Sequence, residues 1–160
     1  MRKVRKETFG QLLIFNADNL LVFQKNQKHK TETSIFHYPL RLILIEIKSA
    51  KDLANLKPDF TALVNSYNGI NGVLVTAISD REEFDFHYRY FWPWAGTNED
   101  PVTGGVQTFL TKYWAIRLNK TKLNAFQSSQ RTGTMSTELL QDKVFISGEA
   151  VTVLEGQFII

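Results

Sequence analysis

Residues 99–110 read Glu99-Asp100-Pro101-Val102-Thr103-Gly104-Gly105-Val106-Gln107-Thr108-Phe109-Leu110, and the rest of the chain is organised around them. A carboxylate precedes a proline, and a glycine pair follows. Val106, Phe109, Leu110, Tyr113 and Trp114 then recur at helical spacing, with Ile116 and Leu118 widening the apolar face. A helix start leaves backbone N–H groups unpaired and carries the positive end of the macrodipole. Glycine there lets a ligand approach the backbone closely. The stretch therefore offers a proton-transfer group, Asp100, and an anion cradle at Gly104 and Gly105. It also admits a plain structural reading, in which Asp100 caps the helix and Pro101 takes its first position.

On the N-terminal side, Phe84, Phe86, Tyr88, Tyr90 and Trp92 alternate with Asp85, His87, Arg89 and Phe91, which is the period of a strand. Residues 73–78 predict a short strand buried on both faces, and residues 38–48 another, rich in β-branched side chains. Between these two, Ser49 caps a short helix reaching Leu56. Pro58 begins a second, with Phe60, Leu63, Val64 and Tyr67 on its stripe and the Asn68-Gly69 and Asn71-Gly72 pairs as its stop. Beyond the long helix, residues 123–126, 134–140, 144–147 and 151–154 predict short strands, with turns at Gln141-Asp142 and Glu155-Gly156. Near the N-terminus, apolar runs at 12–15 and 20–23 flank Asn16-Ala17-Asp18-Asn19 and predict a hairpin. The polar, lysine-rich residues 24–34 read as a loop. The sum is an α+β fold with a mainly antiparallel sheet packed on helix.

A chain of 160 residues supports one domain, or two very small ones, and is long enough to bury a real core. No apolar run approaches the roughly 20 residues that span a bilayer, so no membrane partner and a cytoplasmic setting are expected. The net charge of +3 is uneven. Residues 1–30 carry seven basic and two acidic side chains, against twelve basic and fourteen acidic in the remainder. Such a terminal block reads as a solvated arm, and no nucleic-acid partner is expected. There is no cysteine, which removes thiolate ligands and cysteine nucleophiles. His29, His37 and His87 show no metal-ligand spacing, so no metal is implied.

The order of these pieces resembles a known family. Asp85-Phe86 opens a strand running through Arg89-Tyr90-Phe91-Trp92-Pro93-Trp94. Glu99 to Gly104 follows, Tyr113-Trp114 lies in the helix, and Gln127-Ser128-Ser129-Gln130-Arg131-Thr132-Gly133 and a glycine-bearing end (Gly148, Gly156) come last. This is similar to the C-terminal half of the PhzF-like (phenazine-biosynthesis-like) isomerases, whose pattern runs "RYFAPW", "EDPVTGSAH", "YW", "QxSxRGG". The likeness is good over about residues 73–158 and extends back to about Leu42. It implies a curled mixed or antiparallel sheet around a central helix, one half of a diaminopimelate-epimerase-like fold. Residues 38–160 would form this domain and residues 1–37 a basic, variable segment with the hairpin.

The resemblance further implies cofactor-independent proton transfer on a small carboxylate metabolite. Asp100 would be the catalytic residue, and Thr103, Gly104, Gly105, Arg131 and Gly133 would bind substrate. Relatives of the same general fold that use paired cysteines are excluded as models for the chemistry. The chain departs from the pattern at Gly105, where a serine is usual, at Gln107 in place of histidine, and at Thr132 in place of glycine. The family's catalytic glutamate and its "GNP" and "CGHAT" elements belong to the other half and are not found in these residues. Glu32, in Thr31-Glu32-Thr33, matches the "SET" around that glutamate by a few letters only. The expected function is therefore a truncated isomerase domain, incomplete alone, paired either as a homodimer or with a separate N-terminal half. The alternative is a non-catalytic binding module that keeps the half-fold. Phe91, Trp92 and Trp94 are expected to line an exposed apolar face for such pairing.

Overall fold

The computed structural model describes residues 42–66, 69–153 and 155–157, together with the backbone of residues 15–17, 20–22 and 32–34. Strands β1 (Phe15–Ala17) and β2 (Leu20–Val22) form an antiparallel hairpin, in which Asn16 and Ala17 belong to the ladder instead of the turn. A seven-stranded sheet holds β3 (Glu32–Ser34), β4 (Leu42–Glu46), β5 (Gly72–Ile78), β6 (Phe86–Phe91), β7 (Lys122–Gln127), β8 (Gly133–Leu140) and β9 (Lys143–Ser147), in that order. The β4–β5 and β6–β7 pairs are parallel and the other pairs antiparallel, so the sheet is mixed. Each parallel pair is bridged by helix: α1 (Ala50–Ala54) and α2 (Phe60–Ser66) between β4 and β5, α3 (Gln107–Leu118) between β6 and β7.

The two crossovers step the same way across the sheet on strands running in opposite directions. Right-handed connections then put their helices on opposite faces, and the packing follows. On one face α3 lays Val106, Leu110, Trp114 and Ala115 against Leu44, Leu74, Phe86, Tyr88, Tyr90, Leu123 and Ala125. On the other, Leu53 of α1 joins Ile43, Val73, Val75, Ala77 and Phe91, with Leu56, Phe60 and Leu63 packed against them. Trp114 is the pivot of the first layer. Its ring stacks on Phe86 at 5.5 Å, and its Nε1 donates to Thr76 Oγ1 (2.9 Å), whose hydroxyl donates to His87 O (2.7 Å). A fully buried side chain of this kind contributes roughly 1.5–3 kcal/mol. Arg89, on the second face, pairs bidentately with Glu99 (2.7 and 2.9 Å) and donates to Leu53 O and Leu56 O (3.1 and 2.8 Å).

Several expectations change. Residues 32–34 are a strand, because their backbone pairs with β4 despite a polar, loop-like sequence. Asp59, not Pro58, starts α2, its Oδ1 accepting from Ala62 N (2.9 Å). Ile116 is 81% exposed, since it sits about 200° around the helix from Trp114. Residues 151–153 belong to no strand, and Val151 and Val153 face solvent. The aromatic trio is not an exposed face: Phe91 is core, while Trp92 and Trp94 pack half-buried on the two layers. Residues 38–41, Tyr67 and Leu154 lie outside the described residues. No helix among the described residues is long and apolar enough to cross a membrane.

Candidate active site

The site begins with an interruption in the sheet. β7 accompanies β6 only over Phe86–Tyr88, ending with Ser128 N donating to Tyr88 O (2.9 Å). Past that point the same edge of β6 is taken by the chain's own return. After the turn Pro93–Ala95, Gly96 adopts φ 91°, a conformation glycine reaches without strain, and the chain reverses. Glu99 then bridges Phe91, and Asp100 N donates to Tyr90 O (3.0 Å). Residues 100–103 therefore leave the sheet at the seam between β7 and this return, beside the last residue of β7, Gln127.

Gln127 is fully buried and fills the seam. Its Oε1 accepts from Thr103 N (2.6 Å), and its Nε2 donates to Asp100 O (2.6 Å) and Thr103 Oγ1 (3.3 Å). Thr103 Oγ1 in turn donates to Asp100 Oδ2 (2.6 Å), Tyr88 OH donates to Thr103 O (3.2 Å), and Ser129 Oγ donates to Pro101 O (2.6 Å). The loop is thus held by three side chains, from β6, β7 and the turn after β7, and by the Thr103 hydroxyl within it. Asp100 is half-buried, and its Oδ1 has no hydrogen-bond partner among the described residues.

The helix-capping reading of Asp100 is corrected here. α3 starts seven residues later, and the amides of Gln107, Thr108 and Leu110 are taken by Gly104 O, Gly105 O and Val106 O. Asp100 cannot reach them while Thr103 holds its carboxylate. The amides just before that turn, of Gly104, Gly105 and Val106, are left without a partner among the described residues. They are the open donors at the positive end of α3, and an anion is stabilised there.

The environment is apolar below and polar above. Burial pushes the Tyr88 and Tyr90 phenols up to about 12, and for both the neighbouring Asp100 charge adds to the rise. The Tyr88 ring also lies against Met135, with OH to Sδ 3.8 Å. Gln107 is fully buried, and its Nε2 has no hydrogen-bond partner among the described residues.

Of the residues expected at the site, the structure brings Asp100, Thr103, Gly104 and Gly105 together. Gly133 adjoins them by packing: a Cβ there would meet Val102 Cγ2 at 2.6 Å. Arg131 lies exposed in the turn that Ser129 ties to Pro101, its side chain making no hydrogen bond or ion pair among the described residues. Glu32 is in β3, three strands from β6. The sequence reading missed Gln127 and Tyr88 as organisers of the loop. The one available signal was the position of Gln127 at the head of the Gln-x-Ser-x-Arg segment.

A mixed-sheet α+β domain with a tethered carboxylate beside open helix-start amides defines the class. Residues 12–156 match the family described as phenazine biosynthesis-like protein (PhzC-PhzF), and the chain belongs to that family, as its motifs led us to expect. It is 42% identical over 117 residues to an uncharacterized isomerase of Halalkalibacterium halodurans, covering 73% of this chain and 43% of that one. It is 38% identical over 120 residues to the human phenazine biosynthesis-like domain-containing protein, covering 71% and 42%. The chain thus spans about two fifths of the length of these relatives. Among solved structures it is similar to a PhzC/PhzF phenazine biosynthesis protein of Clostridium difficile, with TM-score 0.71 and 27% identity over 93% of this chain and 61% of that one. A PhzF-family protein of Enterococcus faecalis gives TM-score 0.67 and 28% identity, covering 86% and 56%.

Proposed function

We propose that this chain is a PhzF-type isomerase domain supplying the aspartate side of a proton-transfer site for a small, carboxylate-bearing metabolite. The observation that carries the reading is the pairing of Asp100, with Oδ1 open, and the three unpartnered amides of Gly104–Val106 at the start of α3. The amides hold the substrate carboxylate, and Asp100 gives or takes a proton at a nearby carbon. A glutamate base comes from the other half of the fold, either a further segment or a separate chain. Such acid–base chemistry needs no cofactor. In this reading the sheet and α3 form one half of a diaminopimelate-epimerase-like architecture, with residues 38–160 as its unit. The domain works in the cytoplasm, and a second copy or a separate N-terminal half closes the cleft.

The test is solvent-deuterium incorporation into a dihydro-hydroxyanthranilate-type substrate. The purified chain alone should stay at background, because a positioned general base contributes about 10²–10⁴-fold and none is paired with Asp100 among the described residues. Turnover abolished by Asp100→Asn would show that the chain carries its own base. Turnover that survives Asp100→Asn would overturn the role given to Asp100.

A further inference from the structure

The turn Asp100–Thr103 lacks the hydrogen bond that normally closes a four-residue turn, from the fourth N–H to the first carbonyl. The Gln127 side-chain amide stands in that place, accepting from Thr103 N and donating to Asp100 O, each at 2.6 Å. Its orientation is fixed by its partners, since a backbone N–H only donates and a carbonyl only accepts. Nε2 is therefore the end that also faces Thr103 Oγ1 at 3.3 Å. An amide N–H cannot accept, so the Thr103 hydroxyl must accept there and spend its own proton elsewhere. Asp100 Oδ2, at 2.6 Å, receives it.

We propose that Gln127 is a positioning residue that, through Thr103, makes Oδ2 of Asp100 a permanent acceptor and leaves Oδ1 as the oxygen that exchanges the proton. This rests on the proposed function for its chemistry but not for its geometry. Gln127 never touches substrate. It spreads the turn by inserting an amide, so Asp100 and the unpartnered Gly104–Val106 amides are carried on the same loop. A wholly apolar side chain would fill the space but leave Thr103 N and Asp100 O unpaired in a buried seam. The titratable groups facing the cluster are Asp100 from the loop and Tyr88 and Tyr90 from β6. From α3 comes Gln107 and from β8 Met135, and neither titrates.

The test compares wild type, Gln127→Leu, Gln127→Glu and Thr103→Val by two readouts: the Asp100 carboxyl ¹³C resonance across pH, and the affinity for benzoate, with benzamide as the neutral control. The introduced carboxyl of Gln127→Glu can donate to Asp100 O only while protonated. Relative to wild type, its Asp100 resonance and benzoate affinity should be near normal at low pH. Affinity should then fall about tenfold as that carboxyl ionises. Gln127→Leu should show the loss at every pH. Thr103→Val should shift the Asp100 resonance as Gln127→Leu does, while its backbone N–H at position 103, still bonded to Gln127, stays protected from exchange. An unchanged Asp100 resonance in Gln127→Leu, or a Gln127→Glu loss that ignores pH, would overturn the inference. Failure of the wild type to bind benzoate would instead overturn the proposed carboxylate site, and the Asp100 resonance would still decide the role of Gln127.

Discussion

Replacing Arg89 by methionine removes the cation that ties the far side of the sheet to the residue next to Asp100. Arg89 and Glu99 are nearly buried, with side-chain exposures of 10% and 17%, and the fork is bidentate. The third guanidinium nitrogen also serves the carbonyls that end α1. Removing one partner of a buried pair strands the other charge and costs about 3–5 kcal/mol. A domain of this size loses roughly 2–4 °C of Tm per kcal/mol, so Arg89→Met should unfold about 6–20 °C below wild type. Removing both charges avoids the stranded carboxylate, so Arg89→Met with Glu99→Leu should recover much of that loss. Arg89→Lys keeps the charge but not the fork and should fall between wild type and Arg89→Met. Thermal unfolding followed by circular dichroism measures all four proteins. A single-variant shift under about 2 °C, or a double variant no more stable than the single, would refute the stranded-charge reasoning.

Burial holds the His87 imidazole below its usual range, between Ser79 Oγ (3.1 Å) and Ser128 Oγ (3.3 Å). A depressed histidine contributes stability that is whole above the unfolded value of 6.5 and lost as pH falls through the folded one. Denaturation midpoints should therefore drop on acidification through this window, and His87→Gln should flatten the profile there; an unchanged slope would contradict it. Gly133→Ala should displace Val102 and loosen the Asp100 loop, with a destabilisation of about 1–3 kcal/mol that Val102→Ala relieves. Chemical denaturation of the single and double variants decides that point. Static light scattering should give twice the 18.4 kDa chain mass if two copies close the cleft, and a clean monomer mass at micromolar concentration would dismiss the homodimer.

Local periodicity made most of the elements readable. The alternation through residues 84–92 separates the two core layers as found, with Phe86, Tyr88 and Tyr90 against α3 and Phe91 on the α1 side. The run of residues 73–78 is buried on both faces except at its end. What escaped was decided by long-range partners. Glu32–Ser34 is a strand because β4 has a free edge, which no property of a lysine-rich segment announces. The exposed reading of Phe91, Trp92 and Trp94 failed because the return at Gly96 folds residues 98–100 back onto β6. At the site, the Asp100-Pro101 pair favours a cap by local rules, yet Thr103 three residues on competes successfully for the carboxylate. Gln107 and Thr111 are polar but fully buried on α3, so its inward stripe is not the apolar one the spacing suggests.

Amide chemical-shift mapping of the ¹⁵N-labelled chain during a benzoate titration tests the central claim most directly. The account predicts saturable shifts at Gly104, Gly105 and Val106, extending to Thr103 and weakened by Asp100→Ala, with benzamide producing far smaller ones. Shifts concentrated elsewhere on the sheet, or none at those three amides at saturating benzoate, would contradict it.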